Sequence, residues 1–357
     1  MRPMIRSLLL FAGMSLPWLA IAADFSPIPG VSSMKDVAKA PVPFDLVTLK
    51  RNWKQRIEAM RAAGVMPLID IESNPSEDMD IQSFARQMDK EGVALIAFSG
   101  QQARHGWSDA ARYAVAADPW RYIPTGDGGL PPEWRNNPTG FASTTKERIA
   151  KDGYPMMGEY EFRHYPSPDS IRRGKMDRDE HLPLDSPAGH LLFQFSAESR
   201  IPFQIHQEIE DQYLPVLEEM LGKYPKAKVI WCHLAQIRYQ RRSINYGPDY
   251  VRKLIERFPN LYFDTAFGGP GSVYPASREH HATVWDREKG GVKAEWVKLI
   301  ADYPWRFMVA LDLNPFLMPR FSRKVAVQRT VLESLPPSVR EIVAYKAAWK
   351  LMFNEDI

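Results

Sequence analysis

The sequence predicts an α/β protein whose strands close into a (β/α)8 barrel, the TIM-barrel architecture. Three observations support this fold class. Eight short apolar segments have strand character, amphipathic helical patterns separate several of them, and polar side chains of metal-ligand type follow the apolar segments. A doubly wound open sheet is the alternative, but it requires a glycine-rich phosphate loop after the first strand, and the sequence has none there.

The first 22 residues have the pattern of a secretory signal peptide. Arg2 and Arg6 precede a short apolar run from residue 8 to residue 19, and the small residues around Ala22 offer a cleavage site. The run is shorter than the ~20 apolar residues of a membrane-spanning helix, which disfavours an uncleaved anchor. We therefore predict an exported, periplasmic protein that is free of the membrane after cleavage.

After the signal, residues 23–43 are rich in proline and alanine and predict an extended leader. Residues 44–357 are predicted to form a single barrel domain. Apolar residues spaced by three or four from Leu46 predict an amphipathic helix that ends at Gly64, and the apolar run 67–72 predicts the first strand.

The same order of helix and strand then repeats along the chain. The further predicted strands span residues 93–98, 121–124, 154–162, 203–206, 228–233, 261–265 and 307–311. Helical patterns cover residues 81–88, 213–221, 251–258 and 296–300. Segments 127–151 and 268–291, rich in glycine, proline and charge, are predicted to be long loops at the C-terminal face of the barrel.

Composition excludes several classes of protein. A charged fraction of 25% with 11% aromatic residues is typical of neither disordered nor fibrous chains. The formal charge of +3, which falls to +1 when Arg2 and Arg6 leave with the signal, gives no reason to expect a nucleic-acid partner. Cys232 is the single cysteine, so no intramolecular disulfide can form, and its apolar surroundings predict a buried strand residue.

The side chains that could carry chemistry collect at strand ends, which converge on one pocket in a barrel. Asp70 and Glu72 are two residues apart and point to the same side of the first strand. His206, His233 and Asp312 close the fifth, sixth and eighth strands. Glu208 follows His206 after one intervening residue.

These motifs resemble the amidohydrolase superfamily, in particular its branch of amidohydrolase-related metal-dependent hydrolases and decarboxylases. The resemblance extends from about residue 67 to residue 316, and its markers are Ile-His-Gln-Glu at 205–208, Trp-Cys-His-Leu-Ala at 231–235, Tyr-Phe-Asp-Thr at 262–265 and Trp-Arg-Phe-Met-Val-Ala-Leu-Asp at 305–312. It implies that His206 and His233 bind a divalent metal. It also implies that Asp312 binds metal and is the catalytic group that takes a proton from the attacking water.

The first strand departs from that family, which usually has His-x-His where this chain has Asp70-Ile71-Glu72. Carboxylates also bind zinc, and we assign Asp70 and Glu72 as metal ligands with His206, His233 and Asp312. Zinc is the expected ion, although a carboxylate-rich site also suits Mn or Mg. The alternative is that Asp70 and Glu72 are ion-pair partners of a base such as Arg163 or Arg238 in a barrel without metal.

Two further groups of residues are expected near the pocket. Alternation along the fourth strand places Glu159, Glu161 and Arg163 on one face, so we predict that these residues and Glu208 line the site. Some members of the family bridge two metals from this strand. Arg238 and Arg242 follow the sixth strand closely and are predicted to bind a carboxylate or phosphate on a small anionic substrate.

The resulting hypothesis is a metal-dependent hydrolase that cleaves an amide, lactone or ester bond of a small anionic molecule with a metal-activated water. Two alternatives stay open. One is a non-oxidative decarboxylase on the same scaffold, and the other is a metal-free exported binding protein with a degenerate site. Family members often pair through barrel helices, so a homodimer also stays open.

Overall fold

The computed structural model describes residues 24–33, 45–74, 76, 78–98, 110–126, 128, 133–176 and 178–357. The predicted signal peptide and residues 34–43 of the predicted leader lie outside these ranges. The export prediction and the domain boundaries therefore stay predictions. Within the described ranges, no helix combines the length and apolar character that crossing a membrane requires.

Eight parallel strands form the centre of the molecule, and all eight overlap the segments that the sequence predicts. Their apolar, often β-branched residues are almost completely buried, as expected for strands that are covered on both faces. The strands are β1 (Leu68–Ser73), β2 (Val93–Phe98), β3 (Tyr122–Pro124), β4 (Met157–His164), β5 (Phe203–Gln207), β6 (Val229–Trp231), β7 (Leu261–Asp264) and β8 (Phe307–Met308).

Backbone contacts close these strands into a barrel. Strands β1 to β3 pair in sequence, and β4 to β8 do the same. Parallel bridges join the two groups on both sides, one between Gly126 and Met157 and the other between Ser73 and Leu313. The barrel prediction is confirmed, and the open-sheet alternative is wrong because β1 contacts the segment that follows β8.

Helices surround the barrel. Helix α1 (Leu46–Ala62) begins at Asp45, whose carboxylate caps the amides of Val47 and Thr48, and it buries Trp53 and Ile57 against the barrel. The other helices are α2 (Ile81–Glu91), α3 (Ala110–Ala117), α4 (Glu133–Asn136), α5 (Pro138–Asp152), α6 (Pro168–Arg172), α7 (Pro187–Ser199), α8 (Leu214–Lys223), α9 (Pro248–Arg257), α10 (Ala294–Asp302), α11 (Phe321–Ser334), α12 (Pro337–Glu341) and α13 (Ala347–Phe353).

The prediction of a long loop at residues 127–151 is wrong for most of that segment, because α4 and α5 occupy it. Asn137 caps α5 through its side chain, and Pro138 occupies the first turn. The buried face of α5 consists of Ala142, Thr145 and Ile149, which include a small and a polar residue, so the apolar periodicity is weak. The predicted loop 268–291 is mainly irregular and contains only a hairpin of Val273–Tyr274 and Glu279–His280.

The described part of the leader, residues 24–33, is extended and turns near Gly30. The backbone amide of Ile28 donates to the carbonyl of Ala117 at 2.9 Å, and the Phe25 ring packs on Trp120. These contacts fasten the leader to the side of the barrel near α2 and α3.

Candidate metal centre at the strand ends

Three side chains from consecutive barrel strands converge at the C-terminal face. Glu159 of β4, His206 of β5 and His233 after β6 each offer a ligand atom, and these atoms lie within 4.8 Å of one another. Glu159 Oε1 is 2.7 Å from His206 Nδ1 and 3.3 Å from His233 Nε2. The three side chains are only 11%, 5% and 8% exposed, so the group is nearly dry.

The backbone of His233 directs its ring toward this group. Its φ of 64° lies in the left-handed region, which non-glycine residues seldom adopt. The His233 amide donates to Asp264 Oδ1 at 2.9 Å, and this hydrogen bond from β7 holds the turned backbone. The conformation lets Cys232 and His233, although adjacent in sequence, both contribute to clusters at the same end of the barrel.

Burial and charge act against each other in this group. Burial alone would raise the pKa of Glu159, but the neighbouring rings of His206 and His233 hold it well below its usual range. Burial alone would lower the pKa of His233, but Glu159, Asp264 and Asp312 raise it to about 9. The carboxylate is therefore charged, and in the absence of a metal ion it holds a proton on His233.

Glu72, predicted as a metal ligand, lies next to this group. Its Oε1 is 3.8 Å from His233 Nε2, and the residue is 4% exposed. Burial, together with the charges of Glu159, Asp264, Asp312 and Asp70, raises its pKa well above the usual range. Neither Glu72 oxygen has a hydrogen-bond partner among the residues that the structure describes.

Asp70 belongs to the structure of the barrel wall. Its Oδ1 accepts from the amides of Glu72 at 3.0 Å and Leu311 at 2.8 Å, and its Oδ2 accepts from the Ser73 hydroxyl. Complete burial raises its pKa to about 7 in spite of these donors. Asp70 is in neither of the two candidate metal clusters found among the described residues, and its role as a ligand stays a prediction.

Asp312 lies at the mouth of the barrel. Its side chain is 43% exposed, and its Oδ2 is 3.6 Å from Lys324 Nζ. Its amide donates to the Glu72 carbonyl at 2.8 Å, and its charge contributes to the raised pKa values of Glu72 and His233. It faces the site without being in either candidate cluster, so its catalytic and metal-binding roles also stay predictions.

Glu208 and Arg238 form a buried pair beside His206. Arg238 Nη1 donates to Glu208 Oε1 at 2.6 Å, and the other ring nitrogen of His206, Nε2, lies 3.2 Å from the same oxygen. Burial would raise the pKa of Glu208, but Arg238 and His206 lower it to about 2. Glu208 therefore orients the His206 ring, and Arg238, predicted to bind substrate, is held by Glu208 and the Tyr165 carbonyl.

The predicted face of β4 divides into separate environments, because irregular pairing interrupts its register on β5. Glu159 enters the metal cluster, whereas Glu161 pairs with Arg178. Arg163 donates to Asp179 at 2.6 Å and stacks on the Tyr165 ring. Arg163 and Arg238 are thus paired with carboxylates other than Asp70 and Glu72, so the ion-pair alternative is wrong for these two bases.

Arg242 is the predicted substrate-binding residue that stays accessible. Its side chain is 52% exposed, and it donates to the Tyr165 hydroxyl at 2.7 Å. It also lies over the Tyr239 ring. These two tyrosines restrain the Arg242 guanidinium group, which still contacts solvent.

The Glu159, His206 and His233 side chains fit a divalent metal. Two imidazole nitrogens and one carboxylate oxygen are suitable donors for an ion of this kind. The cluster also has the outer hydrogen bond that metal-bound histidines usually make, from His206 to Glu208. The structure therefore supports a divalent ion without identifying which one.

Three residues in this region are not predicted from the sequence. Asp264 ends β7, and the strand-end rule that selects His206 would also have found it. Arg178 reaches Glu161 from the loop after β4, where no spacing distinguishes it from its charged neighbours. His281 lies in the predicted loop 268–291 but is only 5% exposed, because its backbone pairs with Ile237 and Ser272.

Comparison with known proteins gives similarity in structure only. The sequence matches no protein-family model and no curated protein sequence. A crystal structure of an amidohydrolase matches with a TM-score of 0.50 and 11% identity over 81% of this chain and 75% of that one. A putative amidohydrolase from Staphylococcus aureus matches at 0.47 and 13% identity, over 80% of this chain and 99% of that one.

A third match is 2,6-dihydroxybenzoate decarboxylase in complex with 2,6-dihydroxybenzoate, with a TM-score of 0.48 and 13% identity over 80% of this chain and 99% of that one. At these identities the comparisons concern the fold. The strand pairing described above and the match at a TM-score of 0.50 both give this chain the (β/α)8 barrel fold.

Proposed function

We propose that this protein is a metal-dependent hydrolase that cleaves an amide, lactone or ester bond of a small anionic substrate. The observation that carries the proposal is the convergence of Glu159, His206 and His233 in a nearly dry group at the C-terminal face of the barrel. Active sites of TIM-barrel enzymes lie at this face.

Glu159, His206 and His233 would hold the ion, and zinc suits two imidazoles and a carboxylate. A bound divalent ion supplies Lewis acidity and lowers the pKa of water toward ~7. Glu208 fixes the His206 ring, and Asp264 fixes the backbone of His233. Asp312 is a base at the open side of the cluster, where its exposed carboxylate can exchange a proton with water or substrate.

Substrate charge is the second part of the proposal. Arg242 is half exposed and restrained by Tyr165 and Tyr239, so it can bind a carboxylate or phosphate without a large loss of side-chain freedom. Arg238 is occupied by Glu208, and its role is to support the site. We place this activity in the periplasm, on the strength of the signal-like segment 1–22.

The test is metal analysis and turnover of the purified full chain. We expect about one tightly bound Zn²⁺ or more per chain, and hydrolysis of some member of a panel of small anionic esters, lactones and amides. His206→Asn should lose turnover and the metal ion of the Glu159, His206 and His233 site. His190→Asn on α7, where the ring contacts Tyr224 outside the barrel, is the matched control and should keep both.

Two results would contradict the proposal. Protein that takes up no divalent metal would support a binding protein with a degenerate site. Metal-loaded protein that releases CO₂ from small aromatic or unsaturated acids and leaves the hydrolase panel untouched would identify a decarboxylase.

A further inference from the structure

A second cluster of potential ligands adjoins the first. Glu72, Cys232 and Asp264, at the ends of β1, β6 and β7, each offer one ligand atom, and these atoms lie within 4.8 Å of one another. The residues are 4%, 3% and 0% exposed. His233 lies between the two clusters, with Nε2 3.8 Å from Glu72 and Nδ1 3.8 Å from Asp264.

The hydrogen bonding of these carboxylates is incomplete. Both oxygens of Glu72, and Oδ2 of Asp264, are buried without a hydrogen-bond partner in the described part of the chain. Asp264 Oδ1, in contrast, accepts from the amides of His233 and Ala266. Buried polar groups in folded proteins are normally paired, so these atoms require an explanation.

A proton on Glu72 would provide only part of one. A single proton shared between Glu72 and Asp264 would pair at most two of the three free oxygens and would leave the third without a partner. No described lysine or arginine lies within 4.0 Å of Glu72 or Asp264. A cation at the centre of the cluster would satisfy the free oxygens and reduce the repulsion between Glu72 and the charges of Glu159, Asp264 and Asp312.

We propose that Glu72, Asp264 and the thiolate of Cys232 form a second divalent-cation site, separate from the Glu159, His206 and His233 site. The thiolate selects borderline ions such as Zn²⁺ or Co²⁺ over Mg²⁺ or Ca²⁺, which prefer oxygen ligands only. Binding forms a metal–sulfur bond and releases the thiol proton to solvent. The proposal rests on this cluster and does not depend on the hydrolase activity.

The test uses Co²⁺ as the probe on the metal-free full chain. Cobalt bound to a thiolate absorbs in the near ultraviolet by charge transfer, and cobalt bound to histidine and carboxylate alone does not. Because the chain has a single cysteine, any such band reports Cys232. We expect the band to saturate as about two equivalents bind. Saturation of cobalt binding without the band would overturn the proposal.

Variants then separate the two sites. Cys232→Ser, which nearly conserves side-chain volume, should abolish the band and leave one cobalt site, whereas His206→Asn should weaken the other site and keep the band. A band that persists in Cys232→Ser would refute the assignment. If that variant does not fold, Asp264→Asn should shift the midpoint of the band titration at least about tenfold to higher cobalt, and an unchanged midpoint would equally refute it.

Discussion

Among individual residues, His233 shows most clearly how position sets chemistry. Its pKa of about 9 results from the Glu159 contact, with further contributions from Asp264 and Asp312, against the opposing effect of burial. The pKa of His233 in the folded protein is above the usual 6.5, so its protonation stabilises the metal-free protein. This contribution is fully present below pH 6.5. This contribution is lost as the pH rises through about 9.

Glu159→Gln should lower the pKa of His233 toward 6.5, since the main charged partner becomes neutral. NMR titration of the His233 ring in the metal-free protein measures this pKa. Glu208→Gln is the control, because Glu208 contacts His206 and not His233. A His233 pKa that stays near 9 in Glu159→Gln would contradict the assignment of Glu159 as its partner.

The same proton links metal binding to pH. A metal ion must displace it from His233, so the apparent metal affinity of the wild-type protein should increase as the pH rises toward 9. In Glu159→Gln the pH dependence should shift to lower pH, although the affinity itself falls because a ligand oxygen is lost. Competition titrations with a chelator of known affinity at several pH values would measure both effects.

At the level of elements, Gly189 allows the first turn of α7 to lie directly against the loop that precedes it. A Cβ atom at this position would lie 1.9 Å from the carbonyl oxygen of Leu184, and neither backbone can yield easily. Gly189→Ala should therefore destabilise the protein by roughly 1–3 kcal/mol, the usual range for overpacking.

Gly222 in α8 is the matched control for this prediction. A Cβ atom there would meet only the Phe258 ring at 3.7 Å, an ordinary contact. Gly222→Ala should leave stability unchanged or raise it by up to about 1 kcal/mol, because alanine favours the helix. Urea unfolding of both variants tests the comparison, and equal effects would show that the contact with Leu184 is not limiting.

For the whole molecule, Asp70 helps to close the barrel. It accepts from the amide of Leu311 after β8, while the Ser73 hydroxyl accepts from the amide of Leu313. Asp70→Ala would leave the buried amides of Glu72 and Leu311 and the Ser73 hydroxyl without their acceptor. We expect a loss of about 2–5 kcal/mol in the free energy of unfolding.

Asp356→Ala, at an exposed aspartate, should change the unfolding free energy little and serves as the control. If Asp70 were chiefly a metal ligand, its replacement would reduce metal affinity and leave the metal-free protein nearly as stable as the wild type. Thermal unfolding of the metal-free variant distinguishes the two roles.

Export is also a prediction for the whole molecule. We expect N-terminal sequencing of the mature protein from its natural host to begin at Ala23, after removal of the signal-like segment. Retention of Met1 on soluble cytosolic protein would contradict this prediction.

Hydrophobic periodicity determined much of the fold. The apolar runs of β1 to β8 and the spacing in α1, α2, α8, α9 and α10 reflect local rules, because each buried face appears directly in the sequence. The α5 helix escaped the same rule because its buried face contains alanine and threonine. Strand order and strand ends were enough to bring His206 and His233 to one face of the barrel.

Only the tertiary structure decided which strand-end residues meet. Asp70 and Glu72 share a strand, yet Asp70 is held by the backbone amide of Leu311 after β8, while Glu72 enters a buried cluster. Asp264 and Cys232 belong to the same cluster as Glu72 because the ends of β1, β6 and β7 meet in the folded barrel. Along the chain, β1 is more than a hundred residues from both β6 and β7. Sequence spacing specifies residue types at strand ends, but distances between side chains depend on how the strands close around a common axis.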